Sequence, residues 1–395
     1  MKKIVIIGGG ASGMVAAISA KKENNEVIIL EKNNILGKKI LATGNGRCNY
    51  FNEIQDVSKY SSTTPKLLKE IISIENINMV LDFFNSLGII PKIKNGYYYP
   101  YSNKSENIKK ILEDKIKDLG IKVKYNFNIE DISYDNKFII KGNDIVEADS
   151  LIISTGGMAS PITGSTGDGY DFAKKFNHTV IEPRPALTYL KGNDKLQSIW
   201  AGIRVDAKVS LICNDEVVDT EEGELQLTKN GLSGICIFNL STRAIEEEAK
   251  SVEIGINFMP FIEPIMAVEF FKQRKEENCI KVLEGFLNLK LIKAFTEILN
   301  IKEDAKIEEV DIPSLIKLLT DYRFKVEGHG SFEDSQTTSG GVSLEEVNRQ
   351  TFASLKQENL YLIGELLDVS GKCGGYNLTF AWISGISAGL DASIN

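Results

Sequence analysis

Two histidines and five cysteines in 395 residues leave little from which to build a metal centre. Cys48, Cys213, Cys236, Cys279 and Cys373 are scattered without CxxC spacing, so no metal is expected and reduced thiols are the default. The close CxxxxC pair of flavin-linked disulfide reductases is missing too. There is no basic excess: 46 Lys and Arg against 54 Asp and Glu give a net charge of −8 with mixed signs, which argues against a nucleic-acid partner. No apolar run reaches the roughly 18 residues of a membrane span. The N-terminus enters a strand at once, leaving no room for a signal peptide. The expectation is a cytoplasmic protein with no membrane partner. High Lys, Ile and Asn usage suggests a bacterial source, and nothing indicates an oligomeric state.

What the chain does have begins at residue 2. Ile4-Val5-Ile6-Ile7 reads as a strand covered on both faces and runs into Gly8-Gly9-Gly10-Ala11-Ser12-Gly13. In such a fingerprint Gly8 permits a tight turn, Gly10 lets the backbone approach a pyrophosphate, and Gly13 lets the next helix pack on the strand. A second strand, Val27-Ile28-Ile29-Leu30, delivers Glu31 about 20 residues past the glycines, where a carboxylate can accept from a ribose diol. This βαβ unit predicts a bound dinucleotide, either NAD or FAD.

The rest of the chain predicts an α/β fold with a discontinuous Rossmann-like domain. Residues 1–185 and 336–395 form its two parts. Residues 186–262, completed by 321–335, show short strands without a long helix and predict an inserted β-barrel, while 263–320 are helically periodic and predict a small helical subdomain. A helix over 107–119, strands at 122–125, 149–154 and 360–363, a meander around 138–140 and a final helix over 378–390 complete the reading.

Three segments carry a more specific signal: the loop Gly37-Lys38-Lys39-Ile40-Leu41-Ala42-Thr43-Gly44-Asn45-Gly46-Arg47-Cys48-Asn49, the run Thr338-Ser339-Gly340-Gly341-Val342, and Gly364-Glu365-Leu366-Leu367-Asp368 followed by Gly374-Gly375-Tyr376-Asn377. In this order they resemble the BaiN/YhiN-like bacterial flavoproteins over nearly the whole chain. The resemblance implies bound FAD, a discontinuous FAD domain, a β-barrel and a helical insert. It also implies an FAD-dependent oxidoreductase, because the family includes reductases of carbon–carbon double bonds in steroid-like 3-oxo bile acids and oxidases of aminoacetone-type amines. One departure is visible. The family's Thr-His-x-Gly-x-Ser-Gly-Pro segment reads here Thr228-Lys229-Asn230-Gly231-Leu232-Ser233-Gly234-Ile235, so no role of that histidine carries over.

The expected cofactor contacts follow. Gly8, Gly10, Ala11, Ser12 and Gly13 face the pyrophosphate, Glu31 and Lys32 the adenosine ribose, and backbone at Ile129 the adenine edge. Lys39, Gly46, Arg47, Cys48 and Asn49 supply the binding loop. Thr155, Gly156 and Gly157 let a second strand end approach without side chains in the way. Glu365 is expected near the ribityl chain or pyrophosphate after Gly364, with Asp368 as the alternative. Gly374, Gly375, Tyr376 and Asn377 open the final helix, whose amides would stabilise charge at the flavin N1 edge. Tyr376 serves either there or in packing, and Cys48 is either a packing residue or a thiol paired with Cys373. Arg47, Tyr376 and Asn377 are the candidate catalytic residues. His178 reads as a helix-end cation, and His329 as a turn residue or a cavity lining.

The small-molecule substrate is expected between the FAD domain and the barrel. The expected chemistry moves a hydride between flavin N5 and that substrate. An enone or steroid-like reductase would use NAD(P)H as a transient donor, since no second nucleotide fingerprint is present. The alternatives are an oxygen-dependent amine oxidase and a flavin-binding accessory protein without turnover.

Overall fold

The structure is a computed structural model that describes residues 1–248 and 250–394, except the side chain of Pro264. It divides into two compact units, one of residues 1–186 and 335–395, the other of 187–334.

The first unit is built on a five-stranded sheet whose order is Leu360–Leu362, Ser150–Ile153, Lys2–Ile7, Asn25–Leu30, Lys122–Lys124. Every neighbouring pair is parallel. Ile4, Val5, Ile6, Leu151, Ile152, Leu360 and Leu362 are fully buried, as the unbroken apolar runs require of a sheet covered on both faces. The helix Ala11–Ala20 packs along the final helix Tyr376–Ile394 through small residues. A Cβ at Gly385 would lie 2.4 Å from the Ser12 carbonyl oxygen, and one at Gly389 2.3 Å from that of Ala16. Small residues here let two backbones touch. A separate three-stranded antiparallel sheet, Ile129–Asp135, Lys137–Gly142 and Ile145–Ala148, forms the meander expected around 138–140.

Of the elements of this unit that are absent from the sequence reading, two matter most here. One is the helix Ile74–Ser86, capped by the Ser73 side chain. The other is the hairpin Pro91–Lys94 and Tyr97–Pro100, closed by Asn95 (φ 52°) and Gly96 (φ 79°). An Asn-Gly pair with both φ positive is the type I′ signature that matches strand twist, so the signal was in the sequence.

The second unit has a seven-stranded sheet in the order Tyr322–Lys325, Val252–Asn257, Ile203–Cys213, Glu216–Leu227, Gly231–Ser233, Leu190–Lys191, Gly328–His329. Its first and last members are the two halves of one extended segment, because Val326 N donates to Val252 O and Glu327 N to Lys191 O. The order therefore returns on itself. Two corrections apply here. The central strands are long, 11 and 12 residues, and the helix Ile235–Glu246 lies within the stretch read as helix-free. Its buried Cys236, Ile237, Leu240, Ala244 and Ile245 recur at helical spacing that the neighbouring strand pattern masked. The helices Pro264–Lys272, Cys279–Glu284, Leu289–Leu299 and Ile312–Thr320 share one hydrophobic core with the sheet, as Phe271, Leu283, Phe295 and Leu315 pack in the same cluster as Leu211 and Ile254.

A polar knot near the surface joins two distant segments of the first unit. Glu346 accepts from Thr179 N, Thr179 Oγ1 and Lys356 Nζ, each at 2.7 Å. Burial pushes its carboxyl up, but the Lys356 and Thr179 hydrogen bonds outweigh it and bring the group down to about 2. A depressed folded value stabilises the fold above the ordinary value of 4.5 and loses that stabilisation as pH falls toward 2. Glu346→Gln is therefore expected to lower unfolding stability at neutral pH, and denaturant titrations should show the gap to wild type closing between those two values. His178, beside this knot, corrects the helix-end cation reading. Its Nε2 lies 2.7 Å from Ser354 Oγ, and burial pushes the imidazole toward its neutral form.

Candidate active site at the carboxyl edge of the parallel sheet

In an open parallel sheet a ligand crevice forms beyond the carboxyl ends of the strands, where the strand order reverses. Here the chain starts at the central strand, proceeds outward to 25–30 and 122–124, and then returns to 150–153 on the other side. The reversal lies between Lys2–Ile7 and Ser150–Ile153. The fingerprint, Glu31, Thr155-Gly156-Gly157 and Gly364-Glu365 all follow the carboxyl ends of neighbouring strands. Ile129 starts the small antiparallel sheet opposite Gly142, two residues after Phe127, whose N donates to Glu31 O at 3.0 Å.

The glycine turn is held from three sides. Gly8 N donates to Leu30 O at 2.9 Å, Gly37 N to Gly9 O at 2.8 Å, and Ser154 Oγ to Ile7 O and Gly8 O at 2.7 and 2.8 Å. Gly8 has φ 94°, and a Cβ at Gly13 would lie 2.0 Å from Gly8 O. Gly10 differs, because nothing lies within 4 Å of where its Cβ would stand. The helix beginning at Ala11 has no side-chain cap and no acid in its first turn. Its first amides and positive dipole end therefore open onto free space, which is what a pyrophosphate requires.

Glu31 is buried, and its carboxylate accepts from Gly9 N (2.7 Å), Asn33 N (2.7 Å) and Asn33 Nδ2 (2.8 Å). A carboxylate has about four acceptor positions. One is left for a ligand hydroxyl, while the other three fix the group to the glycine turn. Lys32 turns elsewhere, to Asp168 and Thr166.

Lys39 and Glu365 form an ion pair at 2.8 Å that joins the binding loop to the end of strand 360–362. Glu365 Oε1 also accepts from Thr338 N and Oγ1, both at 3.1 Å, and a Cβ at Gly157 would lie 2.4 Å from Thr338 Oγ1. Asp368 is committed differently from the expectation. It is buried, accepts from Thr63 N (2.8 Å) and Thr63 Oγ1 (2.5 Å), and has its carboxyl pushed up by burial. Its geometry pins the loop around Thr63, so Glu365 is the acid that faces the edge.

The loop ahead of the final helix is set by Asn377, whose Oδ1 accepts from Gly371 N at 2.8 Å and whose Nδ2 donates to Gly371 O at 2.7 Å. These two bonds make the amide a positioning group for the loop. Tyr376 is buried edge-on to Tyr60, with ring centroids 5.6 Å apart, and packs there. Gly374 (φ 130°) and Gly375 (φ 95°) bring the chain to Phe51, whose carbonyl carbon a Cβ at Gly375 would meet at 2.9 Å. In the binding loop Arg47 is exposed, with its guanidinium 5.5 Å from the Tyr99 ring centroid. Gly46 stands in open space. Cys48 is fully buried at φ 54°, and burial pushes its thiol up to about 12. Such a thiol is not a nucleophile at neutral pH. Cys48→Ala is accordingly expected to retain its flavin and its turnover, checked by flavin content and steady-state rates, at a cost confined to stability.

Among the described residues three buried polar atoms of these segments have no hydrogen-bond partner: Asn49 Oδ1, Thr155 Oγ1 and the Tyr170 hydroxyl. Tyr170 was not among the expected residues. Burial, then Glu365 and Asp368, push its hydroxyl far up, so it remains a neutral donor. Unpaired buried polar atoms beside an uncapped helix and an unfilled glycine are the features expected of an edge shaped for a dinucleotide cofactor. The two remaining features stand in the second unit. Lys229 is exposed in the turn after strand 216–227, and His329 stands in the short strand Gly328–His329 opposite Leu190, its Nδ1 2.8 Å from Gly330 O, which corrects the turn reading.

Comparison with known proteins matches residues 2–391 to the family described as the HI0933-like protein Rossmann domain. A 3-dehydro-bile acid Δ(4,6)-reductase of Clostridium scindens is 35% identical over 374 residues, covering 92% of this chain and 91% of the relative. A ribosomal RNA dihydrouridine synthase of Haemophilus influenzae is 27% identical over 370 residues, covering 91% and 90%. Among solved structures, the 3-ketosteroid Δ1-dehydrogenase of Sterolibacterium denitrificans superposes with a TM-score of 0.52 at 11% identity, over 100% of both chains, which is a likeness of fold.

Proposed function

The chain belongs to the HI0933-like Rossmann family and is an FAD-dependent oxidoreductase, and from that premise we propose that it reduces a carbon–carbon double bond conjugated to a carbonyl. The observation that carries this reading is the 35% identity to a bile acid reductase across 92% of the chain. The more distant relative points to the same chemistry, because dihydrouridine is uridine with its carbonyl-conjugated double bond reduced. A 3-oxo steroid with a double bond at position 4 is the preferred substrate class. Uracil in RNA is the second reading, favoured by that relative's name and opposed by the net charge of −8. NAD(P)H is the proposed electron donor.

FAD, when bound, supplies the hydride at N5. The chain's own residues hold and orient it in this reading. The amides of Ala11, Ser12 and Gly13 face the pyrophosphate, and the fourth acceptor position of Glu31 takes a ribose hydroxyl. The Lys39–Glu365 pair fixes the two loops between which the ribityl chain runs. The amides and positive dipole end that begin the helix at Tyr376 face the pole of the flavin that gains charge on reduction. Arg47 and Asn49 complete the loop beside it. The seven-stranded ring of the second unit is read as the inserted barrel. The test is anaerobic. Enzyme chemically reduced beforehand is mixed with a 3-oxo-4-ene steroid, with an oligouridylate and with oxygen in separate experiments. Fast flavin reoxidation by the steroid supports the proposal, and reoxidation by oxygen alone sinks it.

A further inference from the structure

The hairpin missed in the sequence carries a face that the cofactor site does not use. In its register Lys92 stands opposite Tyr99 and Lys94 opposite Tyr97, and Asn52 of the two-residue strand Phe51–Asn52, which pairs with the hairpin's second strand, stands opposite Tyr97. Directly opposed residues share a face, so Lys92, Lys94, Tyr97 and Tyr99 lie together. On the other face Tyr98 packs against Phe51 at 5.1 Å between ring centroids, while Ile93 is exposed. Lys92 and Lys94 are exposed, and Arg47 joins them over the Tyr99 ring. Among the described residues no carboxylate pairs with Arg47, Lys92 or Lys94, although acids outnumber bases in the chain. Three cations interleaved with two aromatic rings thus stand together without an ion-pair contact, the acid beside them being Glu53 at the turn, whose Oε2 lies 3.8 Å from where a Gly96 Cβ would stand.

Their location gives the cluster meaning. Tyr97 Cε1 lies 2.8 Å from where a Gly374 Cβ would stand, and Asn52 Nδ2 donates to Gly374 O at 2.9 Å. Tyr99 Cε1 lies 3.8 Å from the corresponding point at Gly44. The face therefore adjoins both loops assigned above to the reactive end of the cofactor.

Resting on the reductase reading, we infer that this hairpin face docks the pyridine dinucleotide donor. That ligand combines planar rings with a pyrophosphate. The rings suit Tyr97 and Tyr99, and the phosphates suit the three cations. Lys92 and Lys94 are two strand residues apart, about 7 Å, which lets them engage separate phosphate groups. No second glycine fingerprint exists to hold such a donor elsewhere. A single-stranded RNA would need a longer run of cations than one face of a four-residue strand provides.

The test uses the FAD-loaded protein, its flavin reduced beforehand under anaerobic conditions so that no hydride transfer consumes the ligand, and equilibrium binding of NADPH and NADH, read by their fluorescence anisotropy. Lys92→Glu with Lys94→Glu leaves flavin content unchanged, because neither side chain is buried. It raises the dissociation constant about tenfold and flattens its dependence on salt. Lys92→Arg with Lys94→Arg retains wild-type binding. An unchanged constant in the glutamate variant overturns the inference, as does wild-type protein that binds neither dinucleotide. A glutamate variant that loses affinity for an oligouridylate but not for NADPH overturns it as well. The steroid reoxidation experiment needs no dinucleotide, so it reports on the reductase reading separately.

Discussion

Gly13→Val is expected to purify without flavin and with a destabilised first unit. The first added carbon alone would stand 2.0 Å from Gly8 O and 2.6 Å from Ser154 Oγ. Gly8 O belongs to the turn that Leu30 and Gly37 hold in place, so the strain falls on backbone that cannot yield cheaply. Overpacking of this kind costs about 1–3 kcal/mol, and the helix amides are displaced from the pyrophosphate in the same movement. The informative control is Gly10→Ala, whose added methyl meets nothing within 4 Å. Its unfolding stability is expected to stay within about 0.5 kcal/mol of wild type. Flavin affinity should fall in both variants, because in Gly10→Ala the methyl occupies the space left for the cofactor. If Gly10→Ala binds FAD as tightly as wild type by fluorescence titration, the pyrophosphate does not rest there.

Glu31→Ala is the second large effect. It strands Gly9 N and Asn33 N, while Asn33 Nδ2 loses Glu31 but keeps Thr163 O at 3.0 Å. An unsatisfied buried donor costs about 1–3 kcal/mol, so the loss reaches several kcal/mol before any cofactor contact is counted. FAD affinity should fall further, because the remaining acceptor position disappears too. Glu31→Gln separates the two effects. It preserves the shape but turns one oxygen acceptor into a donor, so stability recovers in part while FAD still binds weakly. Thermal unfolding of the FAD-free and FAD-loaded forms reads both. Equal stabilisation by FAD in wild type and Glu31→Gln would remove the ribose role from Glu31.

The parallel sheet and its carboxyl edge were legible because they rest on local signals. Unbroken β-branched runs, glycines at fixed spacing and an acid at the next strand end each point to the same strand-turn-helix geometry. What could not be read was the use each side chain makes of its neighbours. Asn377 and Asp368 stand in the same motif as Glu365, yet their hydrogen bonds go to Gly371 and Thr63, more than 300 residues from Asp368 in the latter case. Cys48 lies between two polar residues in sequence and is wholly buried in the fold. Both outcomes depend on tertiary contacts that no spacing encodes. The helix Ile235–Glu246 and the Asn95-Gly96 hairpin are a different kind of miss, since helical periodicity and a type I′ pair were present in the residues themselves.

The claim on which the rest depends is that the carboxyl edge holds FAD. The most direct measurement is the visible absorption spectrum of freshly purified protein, with the released cofactor identified and quantified. One FAD per chain, lost in Gly10→Ala and retained in Cys48→Ala, is the predicted result. A colourless protein that takes up no FAD on reconstitution would contradict the account.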